Sequence, residues 1–69
     1  MRKMKILKLN REIYFIQNIQ EALLAYKDYA DINIKESATI VELSFKKCLY
    51  DENMTVREFE NYLIGLENS

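Results

Sequence analysis

The chain has 69 residues, of which 49% are apolar and 30% charged, which is typical of one small globular domain and not of a disordered segment. The net charge is −1 and the pI is about 5.4, which argues against a nucleic-acid-binding protein. No apolar run approaches the roughly 20 residues of a membrane span. The start of the chain also lacks the apolar stretch of a signal peptide. We therefore expect a cytoplasmic protein without a nucleic-acid or membrane partner.

The basic residues are concentrated at the start of the chain. Residues 1–11 have a net charge of +5, whereas residues 12–69 have a net charge of −6. A basic strand on an acidic body could attract an acidic partner. Lysines on an edge strand also prevent aggregation, and this second interpretation is favoured because the device is common.

The first predicted strand covers residues 4–9, where apolar side chains are interleaved with lysines. Met4 and Ile6 are expected on one side of this strand, and Leu7 and Leu9 on the other. A complete split β-α-β domain would place a final strand beside the first, and the predicted pattern of elements lacks that strand. We therefore expect an open edge on the first strand, where the backbone of another chain could bind.

The first helix is predicted over residues 15–30, because apolar residues recur there at intervals of three and four. They are Ile16, Ile19, Leu23, Tyr26 and Ala30. β-prone residues at 13–16 obscure the beginning of the helix. We place that beginning near Phe15 or Ile16.

Two further strands are predicted over residues 31–35 and 38–46, and residues 36–38 leave room only for a hairpin turn between them. Alternation in the longer strand predicts one apolar face, formed by Thr39, Val41, Leu43 and Phe45. Ile40 is expected on the opposite face.

The last helix is predicted over residues 56–66. Thr55 and Glu58 have the spacing of a capping box, in which each side chain accepts a hydrogen bond from the other's backbone. Met54 and Phe59 have the spacing of a hydrophobic staple around the same helix start. The predicted inner face of the helix consists of Val56, Phe59, Leu63 and Leu66.

These elements predict a single α+β domain over residues 1–69 with the order β-α-β-β-α. The longest and most β-branched strand suits the centre of a three-stranded sheet, which gives the order 1-3-2 with both helices on one face. This is a ferredoxin-like arrangement without the last strand. The uncovered face is expected to carry Ile40 together with either Met4 and Ile6 or Leu7 and Leu9. An apolar patch formed by these residues would be an interaction surface.

No set of residues typical of an enzyme is recognisable, and the chain has no histidine and one cysteine. Asp51 and Glu52 are adjacent acids of the kind common in loops. Lys46 and Lys47 could activate Cys48, but a half-buried and inert thiol is favoured. A lone cysteine also indicates a reducing compartment. We expect a non-enzymatic protein without a cofactor or a metal.

Tyr14, Ile19, Ala22 and Tyr26 are followed by a predicted hairpin and then by the segment Glu58–Ile64. This pattern covers nearly the whole chain and resembles the His-Xaa-Ser system protein HxsD family. Members carry a tyrosine shortly before an Ile-x-x-Ala helix and end in a helix of the form Glu-Phe-x-Asn-x-Leu-Leu. The chain departs from this pattern at Phe15, where proline is common, and in its short hairpin. The resemblance implies an accessory protein that binds a precursor peptide or a radical-SAM maturase during the maturation of ribosomally made peptides.

The predicted partner-binding residues come from the first strand and from two tyrosines expected near interfaces. They are Lys5, Ile6, Leu7, Lys8, Leu9, Tyr14 and Tyr50. Tyr26 and Tyr62 are expected at the rim of the core. The alternative function is a homodimeric structural or inhibitor-type small protein, of the phage or toxin–antitoxin class, with no role in peptide maturation.

Overall fold

The computed structural model describes residues 5–68. Its elements are β1 (Lys5–Asn10), α1 (Ile16–Tyr26), β2 (Ala30–Glu36), β3 (Ile40–Cys48) and α2 (Glu52–Glu67). The sheet has the order β1-β3-β2, and both outer strands run antiparallel to β3. The predicted α+β class, element order and strand order are therefore confirmed. Met4, predicted to begin the first strand, lies outside the described residues.

One face of the sheet forms the core together with both helices. Leu7 lies opposite Leu43 and Leu9 lies opposite Val41, so alternation places all four on the same face. The buried core residues are Leu9, Ile19, Ala22, Ala30, Val41, Leu43, Phe45, Phe59 and Leu63. The predicted inner face of the longest strand is confirmed for Val41, Leu43 and Phe45, which are fully buried. It is wrong for Thr39, which precedes the strand and is exposed.

The opposite face of the sheet is mostly polar. Lys8 and Lys35 both lie opposite Glu42, one on each side of the central strand. This charged row separates Ile6, which lies opposite Ser44, from Ile40 at the start of β3. The predicted apolar patch on this face is therefore wrong, because charged side chains divide its apolar members.

The first helix begins at Ile16, as predicted, but it ends at Tyr26 rather than at residue 30. The Tyr29 N–H donates to the Tyr26 C=O at 2.9 Å and closes a turn, after which Ala30 begins β2. Ala30 is buried because it pairs with Cys48 in the sheet. A buried strand residue thus continued the helical spacing by coincidence, and this explains the error.

The last helix begins at Glu52, four residues before the predicted start. Asp51 is its N-cap and accepts a hydrogen bond from the Met54 N–H at 3.0 Å. Thr55 lies inside the first turn, and its hydroxyl donates to the Asp51 C=O at 2.8 Å. The predicted capping box of Thr55 with Glu58 is therefore wrong. The predicted staple is wrong as well, because Met54 is the third residue of the helix and does not precede its N-cap.

The central strand covers Ile40–Cys48 and is displaced towards the C-terminus from the predicted 38–46. The hairpin turn is stabilised by Ser37, whose N–H donates to the Ile40 C=O at 2.9 Å. The Ile40 N–H in turn donates to the Ser37 hydroxyl at 3.2 Å. No residue within 5–68 has a positive φ, so a serine side chain stabilises a turn that lacks glycine.

Candidate binding surfaces

The strand β1 lies at an edge of the sheet, and among residues 5–68 it pairs with β3 alone. Arg11, which directly follows β1, shows which backbone groups of the strand face β3. Its N–H donates to the Thr39 C=O at 2.9 Å. Alternate residues of a strand direct their backbone groups to the same neighbour. The backbone groups of Leu7 and Leu9 therefore point to β3. Those of Ile6 and Lys8 point away from the sheet.

The carbonyl of Asn10 supports this assignment. It accepts hydrogen bonds from the N–H groups of Ile13 and Tyr14, both at 3.0 Å, and so it does not serve the ladder with β3. Asn10, Ile6 and Lys8 are alternate residues of the strand, so their backbone groups point in the same direction. The outward side of β1 consequently offers donors and acceptors that an added strand could pair.

The side chains of β1 divide between the two faces of the sheet. Lys5 shares the core face with Leu7 and Leu9 but is exposed at its margin, whereas Ile6 and Lys8 lie on the uncovered face. Leu9 is only 3% exposed and Leu7 is half-buried. Both side chains pack in the core, which leaves little of Leu7 and almost none of Leu9 for a partner to contact. Their role in partner binding stays a prediction.

The two predicted interface tyrosines lie at opposite ends of the sheet. Tyr14 follows the end of β1, where Asn10 lies opposite Ile40, and it packs half-buried against the core. Tyr50 follows the far end of β3 and is 58% exposed. The length of β3 from Ile40 to Cys48, which separates the two tyrosines, is roughly 26 Å at the usual rise per residue. The predicted residues therefore do not form one continuous surface.

A second open edge lies on β2. The Ser37 N–H donates to the Ile40 C=O and the Leu49 N–H donates to the Tyr29 C=O, at 2.9 and 2.8 Å. The odd-numbered residues of β2 therefore face β3. The backbone groups of Ile32 and Ile34 point outward, as those of Ile6 and Lys8 do on β1.

A pocket of about 390 Å³ lies where the end of α1 meets the start of α2. Its lining residues are Ala25, Tyr26, Tyr29, Tyr50, Met54, Thr55, Glu58 and Tyr62. We call it the tyrosine pocket. The centroid of the Tyr26 ring lies 5.9 Å from that of Tyr29 and 5.8 Å from that of Tyr62, and both pairs have edge-to-face geometry. Tyr50 extends the cluster, 6.4 Å from Tyr29.

The sequence analysis missed the tyrosine pocket as a site. It placed Tyr26 and Tyr62 at the rim of the core and only Tyr50 at an interface, whereas the structure brings all three together. One signal was available. Met54, Glu58 and Tyr62 recur at intervals of four, which places them on one face of α2.

Burial and nearby acids govern the ionisable groups near this end of the molecule. Burial raises the pKa of Tyr26, and the Glu58 carboxylate raises it further. Burial also raises the pKa of the Cys48 thiol, a hydrogen bond with Thr55 opposes this, and Glu52 and Asp51 add to it. These effects favour the thiol form of Cys48 over the thiolate. The inert cysteine stays a prediction.

Within residues 5–68 no group of three or more acidic, histidine or cysteine residues is arranged to hold a metal ion. No described helix has the length and apolar character needed to cross a membrane. No protein-family model matches the chain, and comparisons with curated proteins and with solved structures give no significant match. The resemblance to the HxsD family stays a prediction that depends on the motif residues.

Proposed function

We propose that this protein is a non-catalytic binding module that captures an extended segment of another polypeptide on the open edge of β1. The observation that carries the proposal is the outward direction of the Ile6 and Lys8 backbone groups. An added strand would pair with these groups by main-chain hydrogen bonds, while side-chain contacts would select its sequence.

Charge favours β1 over β2 as the binding edge. Lys5 and Lys8 are exposed on opposite faces of β1, so an added strand would meet a positive charge on either face. The β2 edge carries Asp31, Lys35 and Glu36, whose charges are mixed. An acidic segment is therefore the preferred occupant of the β1 edge, because opposite charges on neighbouring strands contribute about 0.2–1 kcal/mol for each pair.

The resemblance to the HxsD family suggests a partner that binds as an added strand. In pathways of peptide maturation, binding modules commonly capture the leader of a precursor peptide as an added strand. Under this proposal the partner is a precursor peptide or a radical-SAM maturase, and binding takes place in the cytoplasm. Its support is the set of motif residues around Tyr14 and Phe59 together with the open edge.

The second candidate function is a structural homodimer. It is favoured by several large apolar side chains that are exposed in the single chain, among them Ile13, Phe15 and Leu24. Pairing of two β1 edges is disfavoured, because it would bring the lysines of two basic strands together. A dimer would therefore more readily use the apolar side chains around α1.

The test is a selection of peptides from a displayed random library, followed by titration of the enriched peptides. We expect enriched peptides in which acidic and β-branched residues alternate. Their binding should shift the nuclear magnetic resonance signals of the Ile6 and Lys8 backbone amides. The variant Ile6→Pro removes an outward donor but no ladder bond with β3, so it should weaken binding about tenfold, equivalent to ~1.4 kcal/mol.

The matched control is Ile34→Pro, which removes the corresponding donor from the β2 edge and should leave affinity unchanged. For charge, Lys8→Glu is compared with Lys35→Glu, because both lysines lie opposite Glu42. Peptides that bind Ile6→Pro as tightly as the unaltered chain would contradict capture on β1. A concentration-dependent dimer in sedimentation that Ile6→Pro leaves intact, with no peptide selected, would favour the second candidate.

A further inference from the structure

We propose that the tyrosine pocket binds the guanidinium group of an arginine side chain carried by a partner polypeptide. This site is separate from the β1 edge, since its residues come from α1, α2 and the segments that flank β2 and β3. The inference depends on three properties of the pocket: its exposed rings, its charge and its shape.

The pocket exposes an unusual amount of aromatic surface for one small region. Tyr50, Tyr29 and Tyr62 are 58%, 45% and 39% exposed, and Met54 beside them is exposed as well. Tyrosine faces carry partial negative charge, and a cation within about 6 Å of a ring centroid is attracted to them. Rings inclined to one another around a concave space offer such faces to a single ligand.

The charge of the pocket has one sign. Among its eight lining residues Glu58 is the only charged one, and it is acidic. Asp51 and Glu52 lie about two turns before Glu58, at the start of α2. The field of the Glu58 carboxylate already raises the pKa of Tyr26, which means that it disfavours an additional negative charge beside that ring. The same field favours a cation.

The shape and chemistry favour arginine among possible occupants. A planar guanidinium can stack on a tyrosine ring and at the same time donate to the two oxygens of a carboxylate. An apolar side chain would cover Glu58 without pairing it, which carries a desolvation cost. An anionic group would be repelled by the same carboxylate.

Two other depressions in the described residues differ in this respect. The one beside Cys48 is lined by Lys27 and Lys47 as well as Asp28 and Asp31, so its charges are mixed. A depression on the uncovered face is lined by Lys8 and Lys35 together with two glutamates. The tyrosine pocket combines several exposed rings with one carboxylate and has no basic residue among its lining residues.

The test is a nuclear magnetic resonance titration with a capped Gly-Arg-Gly peptide. We expect saturable shifts of the ring signals of Tyr29, Tyr50 and Tyr62, with binding that weakens as salt is added. The same peptide with citrulline in place of arginine keeps the shape but has no charge, and it should bind at least about tenfold more weakly. Equal binding of the two peptides, or no saturable shift with arginine, would overturn the proposal.

The matched protein variants are Glu58→Gln and Glu60→Gln. Both remove one charge from α2, but Glu60 does not line the pocket. We expect roughly fivefold weaker arginine binding for Glu58→Gln and no change for Glu60→Gln. Equal effects of the two variants would show that the chain's overall acidity, and not the pocket, attracts the peptide.

The two proposed sites can fail independently. The variant Ile6→Pro alters the β1 edge and should leave arginine binding intact, whereas Glu58→Gln should leave the capture of acidic strands intact. A loss of arginine binding in Ile6→Pro, with the fold preserved by circular dichroism, would contradict a separate pocket.

Discussion

At the scale of single residues, the side-chain carboxylate of Glu67 links the two helices by hydrogen bonds. Glu67, the last residue of α2, accepts hydrogen bonds from the Phe15 N–H at 2.8 Å and from the Asn18 side-chain amide at 2.9 Å. Phe15 occupies the N-cap position of α1 and has no capping side chain of its own. The charge of Glu67 therefore satisfies a free backbone donor and interacts favourably with the positive end of the helix dipole.

The variant Glu67→Ala should lower the free energy of unfolding by about 1 kcal/mol, because it removes the only side chain that caps α1 within residues 5–68. Urea denaturation measures the change. Glu60→Ala is the control, since it removes an acid from the same helix but leaves the hydrogen bonds of Glu67 to Phe15 and Asn18 in place. Equal losses for both variants would contradict the capping role.

Asp51 shows how competition between neighbouring residues sets a helix start. Asp51 and Thr55 are both good N-cap residues. Glu58, three positions after Thr55, completes a capping-box pattern that predicts a helix start directly after Thr55. The earlier start lets Thr55 be buried, with its hydroxyl paired to the Asp51 carbonyl. A buried paired hydroxyl and an extra helical turn outweigh the local capping box.

At the scale of elements, the outer strands are the most informative feature. Each is paired on one side by β3, and each directs alternate backbone groups outward within the described part of the chain. Lysines on the uncovered face, such as Lys8 and Lys35, discourage uncontrolled pairing along these edges. The same lysines allow an acidic strand to be accepted.

Amide hydrogen exchange tests the assignment of the β1 edge without any partner. The amides of Leu7 and Leu9 should exchange slowly because they point to β3, whereas those of Ile6 and Lys8 should exchange rapidly. Residue-resolved exchange measures this alternation. Uniform protection of all four amides in the monomer would show that another segment already covers the edge.

On the scale of the whole molecule, charge is separated between surfaces. The β1 edge is basic, whereas the tyrosine pocket, which lies beyond the C-terminal end of β3, is acidic. A partner with an acidic extended segment and an arginine could therefore engage both surfaces. Linked contacts of this kind raise affinity without a new interaction at either site.

The global stability should fall in alkaline solution. The pKa values of Tyr26 and Cys48 are raised in the fold, chiefly by burial. The unfolded chain therefore loses these protons at lower pH, so stability is complete below the usual titration range of these groups and declines as pH rises through it. Urea unfolding at a series of pH values measures the decline.

The control for the pH dependence is Tyr26→Phe, which keeps an aromatic ring in the lining of the tyrosine pocket and removes the ionisable group. Its stability should decline less steeply with pH than that of the unaltered chain. An identical slope for the two proteins would show that Tyr26 does not contribute.

Local patterns were sufficient for much of this fold. Strict alternation over residues 39–45 identified the buried face of the central strand, and the spacing of Phe59 and Leu63 identified the inner side of α2. These predictions succeeded because strand and helix periods are properties of a few consecutive residues. The order of the strands followed from chain connectivity and from the length of the central one.

Long-range packing settled the features that those patterns missed. The end of α1 depends on the pairing of Ala30 with Cys48, and its capping depends on Glu67 from the opposite end of the domain. The tyrosine pocket likewise joins Tyr26 to Tyr62 across the chain. Such contacts are chosen by the shape and burial of distant segments, so no window of neighbouring residues contains the information that specifies them.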